Sequence, residues 1–471
     1  MLKPMKRHHT TALLSLFLCM GTATTPALAA GPATSAISAT SASADRADEA
    51  VVKAIGRAAH PLRTTEPGGP DGDLRALDRV VGDARVVGIG EATHGSHEFF
   101  ALKQRVFRHL VRERGFRTYA LEAPWSTGLR LNDYVLHGKG DPRRIMREDF
   151  QDSYLLWNTR EYLSLIQWMR SWNLAHPGDP VRFMGNDVAY AGPDLYDRVL
   201  DYVRRAHPAV LPELTALYRD LRPTGPSGPY LRDYLTRPLA ERRERAALAT
   251  RALDLLRKQR PAPGRAAGEA YRWAVRNALA IRQTADQYAF DFTGQDGVTA
   301  GMRYRDRVMA DNTAWWQENT GGKVLLSAHN GHIGYRSGDP VNYPKTQGAF
   351  LRDRLGARYV SVGLTFHHGT FNGVGADDAM LDANVRRFTV AAAPGGNEDT
   401  LDRVRHRDYL LDLRTAPAPA RDWLRAPRTA LDYGTAYPAQ QKPVALARTF
   451  DALIHLHSVR ASDRLPAGEG G

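Results

Sequence analysis

Short apolar runs alternate with helical patterns along most of the chain, and this alternation constrains the fold more than any other feature of the sequence. The predicted strands are residues 84–90, 118–121, 181–185, 323–327 and 359–363. Apolar residues at helical spacing lie between residues 96 and 115 and at residues 162–172, 304–316 and 351–355. Largely apolar runs are typical of parallel strands buried on both faces. The pattern therefore predicts an α/β fold with a mainly parallel sheet flanked by helices on both faces.

The strand signal disappears in the middle of the chain. Residues 195–298 are rich in Ala, Leu, Arg and Glu at helical spacing and are punctuated by prolines. We therefore expect a helical subdomain at 195–298, inserted between two halves of the α/β domain at residues 49–194 and 299–460. Strand-like pieces in the second half predict additional edge strands, at residues 388–390, 409–411 and 453–455.

The two ends of the chain have the composition of segments outside the folded domain. In residues 1–29, basic residues precede a short apolar run and an Ala-x-Ala cleavage site, which predicts a secretory signal peptide and secretion, or a periplasmic location where the source has an outer membrane. The apolar run is too short for a membrane span. Residues 30–48 are rich in Ala, Ser and Thr and predict a flexible linker, and residues 461–471 predict a disordered tail.

Cysteine usage and charge exclude several classes of function. The only cysteine, Cys19, lies inside the predicted signal peptide. A processed chain would therefore have no disulfide, no zinc–thiolate site and no cysteine nucleophile. The net charge of +13 comes largely from Arg residues dispersed among Asp and Glu, without a lysine-rich run or a nucleic-acid motif. We expect no nucleic-acid partner and no membrane span, and the sequence gives no oligomeric state.

Ionisable residues follow several of the predicted strands, at the point where each strand ends. They are Glu91 and His94, Glu122, Asp187, and His329 with His332. In open α/β sheets ligands bind beyond the carboxyl ends of the strands, where loops and helix N-termini converge. Because Glu and His recur at these ends although they lie far apart in sequence, the pattern predicts one shared site.

Each of these residues also has a purely structural interpretation. Glu91 follows a buried strand, where a lone carboxylate is costly, and an ion pair with Lys103 in the next helix would stabilise it. Glu122 could accept hydrogen bonds from backbone N–H groups of the loop ending at Pro124, and Asp187 could cap the next segment. A structural hydrogen bond is as good an account of His332 as a chemical role.

The set of residues is suited to hydrolysis. A neutral histidine can deprotonate water, while a carboxylate fixes its tautomer and stabilises the imidazolium that forms. A second histidine could protonate the leaving oxygen, and Lys103 could stabilise developing negative charge. The sequence contains neither a Gly-x-Ser-x-Gly elbow nor a His-Glu-x-x-His zinc motif. His94, His329 and His332 with carboxylates could still bind a metal, so this alternative stays open.

An ordered series of motifs resembles the erythromycin esterases. Gly-Glu-Ala-Thr-His-Gly at residues 90–95 and the helix that follows, with Glu98, Phe99, Phe100, Leu102 and Lys103, look like the signature of that family. The similarity continues at residues 115–116, 120–124, 157–161, 185–187, 328–333 and 450–454. It spans roughly residues 75–455, and the helical insert is least alike.

The resemblance implies hydrolysis of a macrolide lactone ester, with water activated at His94 and without a metal. It places functional weight on the positions of Glu91, His94, Glu122 and His329. Some members have an arginine where this chain has Lys103, which puts bidentate contacts at that position in doubt. Relatives named for polysaccharide biosynthesis, and metal-dependent proteases in the wider superfamily, leave the substrate and metal use open.

The resulting hypothesis is an ester or lactone hydrolase, of the carboxylic ester class, that acts on a small-molecule ester or macrolactone without a metal or cofactor. The predicted catalytic residues are His94, Glu91, Glu122, His329 and Lys103. The predicted substrate-contacting residues are His332, Asp187, Trp125 and Trp273. The rival interpretations are a metal-dependent hydrolase or protease that uses the same histidines and carboxylates, and a non-catalytic protein that binds macrolides or glycans.

Overall fold

The computed structural model describes residues 38–466, with side chains described from residue 48 onward. The predicted signal peptide and residues 30–37 of the predicted linker lie outside the described residues, as do residues 467–471 of the predicted tail. Within the described part of the chain, no helix is long and apolar enough to cross a bilayer.

The described residues form twelve strands, numbered here in chain order. They are β1 (His60–Pro61), β2 (Val86–Ile89), β3 (Phe116–Pro124), β4 (Arg182–Asp187), β5 (Lys323–Ser327), β6 (Tyr359–Gly375), β7 (Arg386–Ala391), β8 (Tyr409–Asp412), β9 (Arg428–Thr429), β10 (Ala436–Tyr437), β11 (Pro443–Val444) and β12 (Ala452–Val459). All five strands predicted from the apolar runs of the α/β pattern are present, with small shifts at their ends except in β6, which continues to Gly375, well past its predicted end at residue 363.

Ten of these strands form one sheet. Its main path runs β1-β8-β12-β6-β2-β5-β3-β4, and β7 and β10 pair with the extended β6. The pairs from β12 to β4 along this path are parallel, whereas β1-β8, β8-β12 and β6-β7 are antiparallel. Strands β9 and β11 form a separate antiparallel pair. The predicted mainly parallel α/β sheet is confirmed.

The helices are also numbered in chain order. They are α1 (Ser38–Ala58), α2 (Arg75–Val81), α3 (His97–Arg114), α4 (Trp125–His137), α5 (Pro142–Asp149), α6 (Arg160–Ala175), α7 (Pro193–Ala206), α8 (Leu211–Tyr218), α9 (Ser227–Thr236), α10 (Leu239–Arg257), α11 (Arg265–Tyr288), α12 (Gln295–Thr320), α13 (Asn330–Ile333), α14 (Gln347–Leu355), α15 (Asn397–Asp402), α16 (Ala420–Arg425) and α17 (Leu446–Thr449).

Helix α3 shows how the local sequence sets an element that carries the site. Glu98 lies in its first turn, where a carboxylate is stabilised by the positive end of the helix dipole. Apolar residues at helical spacing, such as Phe99 and Val106, are fully buried. The helix ends at Gly115, which has φ 69° and ψ 29°, a left-handed conformation that glycine adopts without steric penalty. The same buried face carries Lys103 toward the carboxyl end of β2.

Helices cover both faces of the sheet. Successive side chains of a strand point to opposite faces, so an apolar run presents apolar side chains to the helices on each side. Val87 of β2 belongs to the hydrophobic core that also contains Phe99 of α3 and Ile166 of α6. Val86, the preceding residue, belongs to the core that contains Val199 of α7. Each fully buried side chain of this size contributes roughly 1.5–3 kcal/mol to folding.

The long segment without a strand signal is helical, as predicted. Between β4 and β5 the described chain forms helices α7 to α12 with a short 3-10 turn, and it contains no strand there. Helix α12 continues past residue 298, the predicted end of the insert, and leads directly to β5. It thereby connects the helical segment to the sheet.

Three predictions about the chain's ends and edges need correction. The second part of the predicted linker is helical, because α1 begins at Ser38. Residues 461–466 of the predicted tail are ordered, and Ala461 forms a β-bridge with Ser96. The runs at 409–411 and 453–455 lie in β8 and β12, which are interior strands rather than edge strands: β8 lies between the two-residue β1 and β12, and β12 lies between β8 and β6.

Candidate active site

The polar strand ends lie on neighbouring strands of the sheet. Glu91 follows β2, His329 follows β5, Glu122 lies at the end of β3, and Asp187 is the last residue of β4. These strands are consecutive in the order β2-β5-β3-β4, although β5 lies about two hundred residues after β3 in sequence. The four strand ends therefore lie side by side at one end of the sheet, as the sequence predicts.

Glu91, His94 and Lys103 form the first half of the site. Glu91 uses one carboxylate oxygen for each partner: Oε1 lies 2.7 Å from His94 Nδ1, and Oε2 accepts a hydrogen bond from the Lys103 ammonium. Lys103 Nζ also donates to Ser327 Oγ at 3.1 Å. All three charged or titratable side chains are buried. The predicted ion pair between Glu91 and Lys103 is present, and it occurs together with a contact to His94.

The ring of His94 is fixed by its neighbours. Its ring centroid lies 4.8 Å from that of Trp157 and 5.0 Å from that of His329. Its backbone N–H donates to Gly434 O at 2.8 Å. Because Nδ1 is engaged by Glu91, Nε2 is the ring nitrogen available to a reacting molecule.

The side chain of Asn330, which follows β5, packs directly against the backbone of Gly90, which follows β2. A Cβ at Gly90 would lie 1.9 Å from Asn330 Oδ1, so only glycine fits at this position. Asn330 in turn accepts from Leu364 N and donates to Leu364 O on β6. A side chain at residue 90 would displace Asn330 and break its hydrogen bonds with Leu364.

Burial and charge set the protonation states of the first half. Burial raises the pKa of Glu91, but the charge of Lys103 and the hydrogen bond with His94 outweigh it, and the net shift is downward. Burial lowers the pKa of His94, and the contact with Glu91 offsets this only in part. Burial also lowers the pKa of Lys103, against the pull of Glu91. The result is an ionised carboxylate beside a neutral imidazole at pH 7.

Glu122 is the centre of the second half of the site. Its Oε1 accepts from Arg305 Nη2 at 2.9 Å, and its Oε2 accepts from the backbone N–H of His329 at 2.9 Å. Burial raises the pKa of Glu122, but the charge and hydrogen bond of His332 outweigh it and hold the pKa well below its usual range. The N–H partner belongs to His329 after β5, so it is not in the loop ending at Pro124 that the structural interpretation of Glu122 named.

Asp187 is bound by the same arginine. Arg305 Nε donates to Asp187 Oδ1 at 3.0 Å, and its Nη2 donates to Asp187 Oδ2 at 2.5 Å. The Tyr154 hydroxyl donates to Asp187 Oδ2 at 2.8 Å. Arg305 is 1% exposed, so this guanidinium is a buried bridge between the ends of β3 and β4.

His332 has ionic partners on both ring nitrogens. Nδ1 lies 2.8 Å from Asp306 Oδ1, and Nε2 lies 3.3 Å from Glu122 Oε1. Burial lowers the pKa of His332, but the charges of Asp306 and Glu122 outweigh it and raise the pKa to about 10. Arg305 Nη1 lies 3.2 Å from Nε2, but in the imidazolium the Nε2 proton has Glu122 as its acceptor. His332 is therefore a buried cation at neutral pH.

His329 lies between the two halves. Its Nδ1 accepts a hydrogen bond from Gly331 N at 3.2 Å, which caps α13 and places the ring proton on Nε2. Nε2 lies 3.1 Å from Asp432 Oδ1, an ion-pair distance without the alignment of a hydrogen bond. Burial lowers the pKa of His329, but Asp432 outweighs it and the net shift is upward. A second proton would have to displace the Gly331 hydrogen bond.

Of the two predicted tryptophans, Trp125 lies in the hydrophobic core beside the sheet and Trp273 is half-buried against that core. Trp125 is 2% exposed, and its Nε1 donates to Asn277 Oδ1 at 3.1 Å. Trp273 packs edge-on against Trp315 and Trp316, with ring centroids 5.0 and 5.3 Å apart. The structure gives these side chains a packing role and does not place them with the Glu and His residues.

Several members of the site were missed in the sequence. They are Arg305 and Asp306 on α12, Ser327 on β5, Tyr154 before α6, and Asp432 in a loop. Arg305 and Asp306 had a detectable signal, because they interrupt the buried face of α12 between Met302 and Met309. Asp432 lies outside any periodic element, so its position depends on the tertiary fold alone.

The ionisable side chains of the site engage one another rather than converge on one point. Among the described residues, two groups bring three possible ligand atoms within 4.8 Å of one another. They are His97 with Glu161 and Asp463, and His367 with His368 and His457. Neither group includes Glu91, His94, Glu122 or His329. The Lys103 ammonium already occupies one oxygen of Glu91.

The family model of the erythromycin esterases matches residues 111–459, which is most of the chain. The chain belongs to the erythromycin esterase family. The matched region contains β3 to β12, and with them Glu122, Asp187, Arg305, His329 and His332. Glu91, His94 and Lys103 lie before the matched region, so the match covers the half of the site around Glu122.

Individual relatives support the membership at a distance. Erythromycin esterase type II of Escherichia coli is 25% identical over 344 residues, which cover 66% of this chain and 75% of that protein. The putative hydrolase YbfO of Bacillus subtilis (strain 168) is 22% identical over 425 residues, or 87% of this chain and 91% of that protein.

Two solved structures share the fold. A succinoglycan biosynthesis protein superposes with a TM-score of 0.78 at 30% identity, covering 88% of this chain and 98% of that chain. A mutant of the erythromycin esterase EreC in its open conformation superposes with a TM-score of 0.65 at 18% identity, covering 86% of this chain and 98% of that chain. The second likeness concerns the fold alone.

Proposed function

We propose that this member of the erythromycin esterase family is a secreted hydrolase that cleaves an ester or lactone, with a macrolide lactone as the substrate class. One observation carries the proposal: the neutral His94, whose Nδ1 is bound by Glu91 at 2.7 Å and whose ring packs against His329. A histidine held in this way can accept a proton at Nε2. Secretion rests on the composition of residues 1–29.

In the proposed reaction His94 is the general base. Its Nε2 takes a proton from water as the water oxygen bonds to the carbonyl carbon, and Glu91 stabilises the imidazolium that forms. The carbonyl oxygen becomes negatively charged in the tetrahedral intermediate. The ester C–O bond then breaks, the alkoxide takes the proton from His94, and a carboxylic acid and an alcohol result. The products contain one water more than the substrate.

The structure supports different roles for the other predicted residues. His329, with its proton on Nε2 and its ring 5.0 Å from that of His94, is the candidate donor to the negatively charged oxygen. Lys103 is bound to Glu91 and Ser327, so it acts as a positioning residue that keeps Glu91 ionised. Glu122 positions His329 through its backbone N–H.

A cavity next to His329 offers space for part of a substrate. It measures about 350 Å³, at the lower end of the range for small-molecule sites. Asn330, Gly331 and Asp432 line it, and Asp432 is the residue 3.1 Å from His329 Nε2. The lining combines apolar side chains such as Leu431 and Phe450 with Arg336 and Arg448. A mixed lining of this kind suits a large, partly polar ester.

Mass spectrometry tests the proposal directly. The purified protein is incubated with erythromycin and a panel of other lactones and simple esters, with and without a chelator. We expect a gain of one water on at least one lactone, insensitive to chelator and absent in His94→Ala. His137→Ala, which removes an exposed histidine at the end of α4, is the matched control.

Other outcomes would assign the protein differently. Turnover that is lost in chelator and restored by a metal would support the metal-dependent alternative. Tight binding of a macrolide without any product after prolonged incubation would support a sequestering protein. Hydrolysis that continues in a folded His94→Ala variant would contradict the general-base assignment.

A further inference from the structure

A cluster of histidines lies outside the candidate active site, where β6 and β12 run side by side. His367 and His368 are on β6, and His457 is on β12. One ring nitrogen from each lies within 4.8 Å of the others. The strands are parallel neighbours here, with Leu456 opposite Phe366 and Ser458 opposite His368. The cluster is therefore set by the sheet register and not by a loop.

The distances within the cluster fit a shared ion. His367 Nδ1 and His368 Nδ1 are 3.1 Å apart. Two nitrogen ligands of one tetrahedral zinc ion, each about 2.0–2.1 Å from the metal, lie roughly 3.3 Å from each other. Consecutive residues of a regular strand point to opposite faces, so convergence of these two ring nitrogens is unusual. It occurs next to Gly369, whose φ of 145° is accessible to glycine.

A carboxylate lies directly behind the imidazoles. Asp402, the last residue of α15, has Oδ1 2.7 Å from His457 Nδ1 and Oδ2 3.4 Å from His367 Nδ1. The same Oδ1 lies 3.5 Å from Nε2 of the buried His455. Histidines that bind a metal through one nitrogen commonly have the other nitrogen on a carboxylate. With Nδ1 of His457 on Asp402, its Nε2 remains for an ion.

We propose that His367, His368 and His457 bind one divalent transition-metal ion of the zinc class, with Asp402 orienting the ring of His457. Imidazole is a preferred ligand of this class of ions, and three histidines leave a fourth position for water. The side chains of His367 and His457 are 26% and 24% exposed, so an ion can reach them from solvent. The ion ties β6, β12 and α15 together.

The other converging group does not support a second site. His97 has both ring nitrogens on carboxylates, with Nδ1 2.6 Å from Glu161 and Nε2 2.9 Å from Glu66. These contacts form a satisfied ion-pair cluster. At the proposed site, by contrast, ring nitrogens of His367 and His368 face each other, and Asp402 is the shared carboxylate neighbour of His457, His455 and His367. The proposal is independent of the reaction at His94.

Zinc stoichiometry tests the site. The tag-free full chain is incubated with excess ZnCl₂, freed of unbound ion by gel filtration, and analysed by inductively coupled plasma mass spectrometry. We expect about one zinc ion more per chain than in the triple variant His367→Ala/His368→Ala/His457→Ala. His137→Ala should retain the wild-type amount, and Asp402→Asn should weaken binding by about 10- to 100-fold.

A second measurement on the unaltered chain keeps the test valid if the triple variant folds poorly. Added Co²⁺ should give a visible absorption band of nitrogen-coordinated cobalt, and one equivalent of Zn²⁺ should remove it. Zinc should also raise the melting temperature of the wild type and of His94→Ala. The proposal is overturned if no cobalt band forms, or if a folded triple variant holds as much zinc as the wild type.

Discussion

The two halves of the candidate site use the same residue types in opposite ways. In the half around Glu91, His94 has one ring nitrogen on a carboxylate, and burial lowers its pKa. In the half around Glu122, His332 has carboxylates on both nitrogens, and its pKa is raised to about 10. The first histidine is neutral and able to take a proton, whereas the second is a fixed cation. Both histidines are buried, so the number of carboxylate partners, and not burial, decides which of them is a neutral base and which is a structural cation.

The two halves also differ in their permanent cation, which is a lysine in the half around Glu91 and an arginine in the half around Glu122. Lys103 is a single ammonium on one oxygen of Glu91, so that carboxylate keeps an oxygen for His94. Arg305 is a planar group that holds Asp187 and Glu122 together. A guanidinium can satisfy several carboxylate oxygens at fixed angles, which an ammonium does less well. The Arg305 half is therefore suited to rigidity, and the Lys103 half to proton transfer.

The largest expected effect is on the stability of the Arg305 half. Arg305→Met leaves the buried carboxylate of Asp187 without its guanidinium partner and leaves Glu122 with the His332 imidazolium, which should cost about 3–5 kcal/mol of unfolding free energy. Arg144→Met removes an arginine whose side chain is 69% exposed and should cost no more than about 1 kcal/mol. Urea unfolding measures both. Equal losses in the two variants would show that Arg305 is not a structural cation.

The sequence predicted the first half of the site more completely than the second. Glu91 and Lys103 are 12 residues apart, on a strand end and the following helix, with His94 between them, so local patterns place all three together. Arg305 is 118 residues from Asp187 and 183 residues from Glu122, so only the tertiary fold brings these side chains together. Among 64 basic residues it had no distinguishing motif. Its one signal is its place on the buried face of α12.

The sheet also shows that local sequence predicts the elements but not which of them become neighbours. Apolar runs such as Lys323–Ser327 predicted the strands themselves, because burial on both faces leaves a local pattern. Strand order has no such pattern: β5 lies between β2 and β3, and β12 lies inside the sheet although its sequence contains His455 and His457. Neighbouring strands are chosen by packing between distant segments, which a single sequence does not display.

The pH response should separate the two histidines. The folded pKa of His332, about 10, lies above its unfolded value near 6.5, so its stabilisation is fully present below pH 6.5 and is lost as pH rises toward 10. Each tenfold difference in proton affinity between the folded and unfolded states corresponds to about 1.4 kcal/mol. The pKa of His94 is lowered, so activity should fall only when pH drops below about 6.5.

Urea unfolding and kcat/KM measured from pH 5 to 10 check this contrast. We expect the alkaline loss of stability to flatten in His332→Gln, while a control variant, His137→Gln, keeps it. The acid limb of activity should remain below pH 6.5 in the control. An acid limb above pH 7 would mean that His94 is charged in the resting protein, and the contrast between the two histidines would fail.

The smallest expected effect tests whether Lys103 acts only through Glu91. Lys103→Arg keeps a cation beside Glu91 Oε2, so kcat/KM should change by less than about tenfold. Lys103→Met leaves Glu91 buried without its cation, so the pKa of Glu91 should rise and its hold on the His94 imidazolium should weaken. If Lys103 is a positioning residue, Lys103→Met should lower kcat and move the acid limb of the pH profile, with KM nearly constant.

A different result would reassign Lys103. If both variants raised KM alone and left the pH profile in place, Lys103 would contact the substrate instead, and the proton-transfer half would consist of Glu91 and His94 without it.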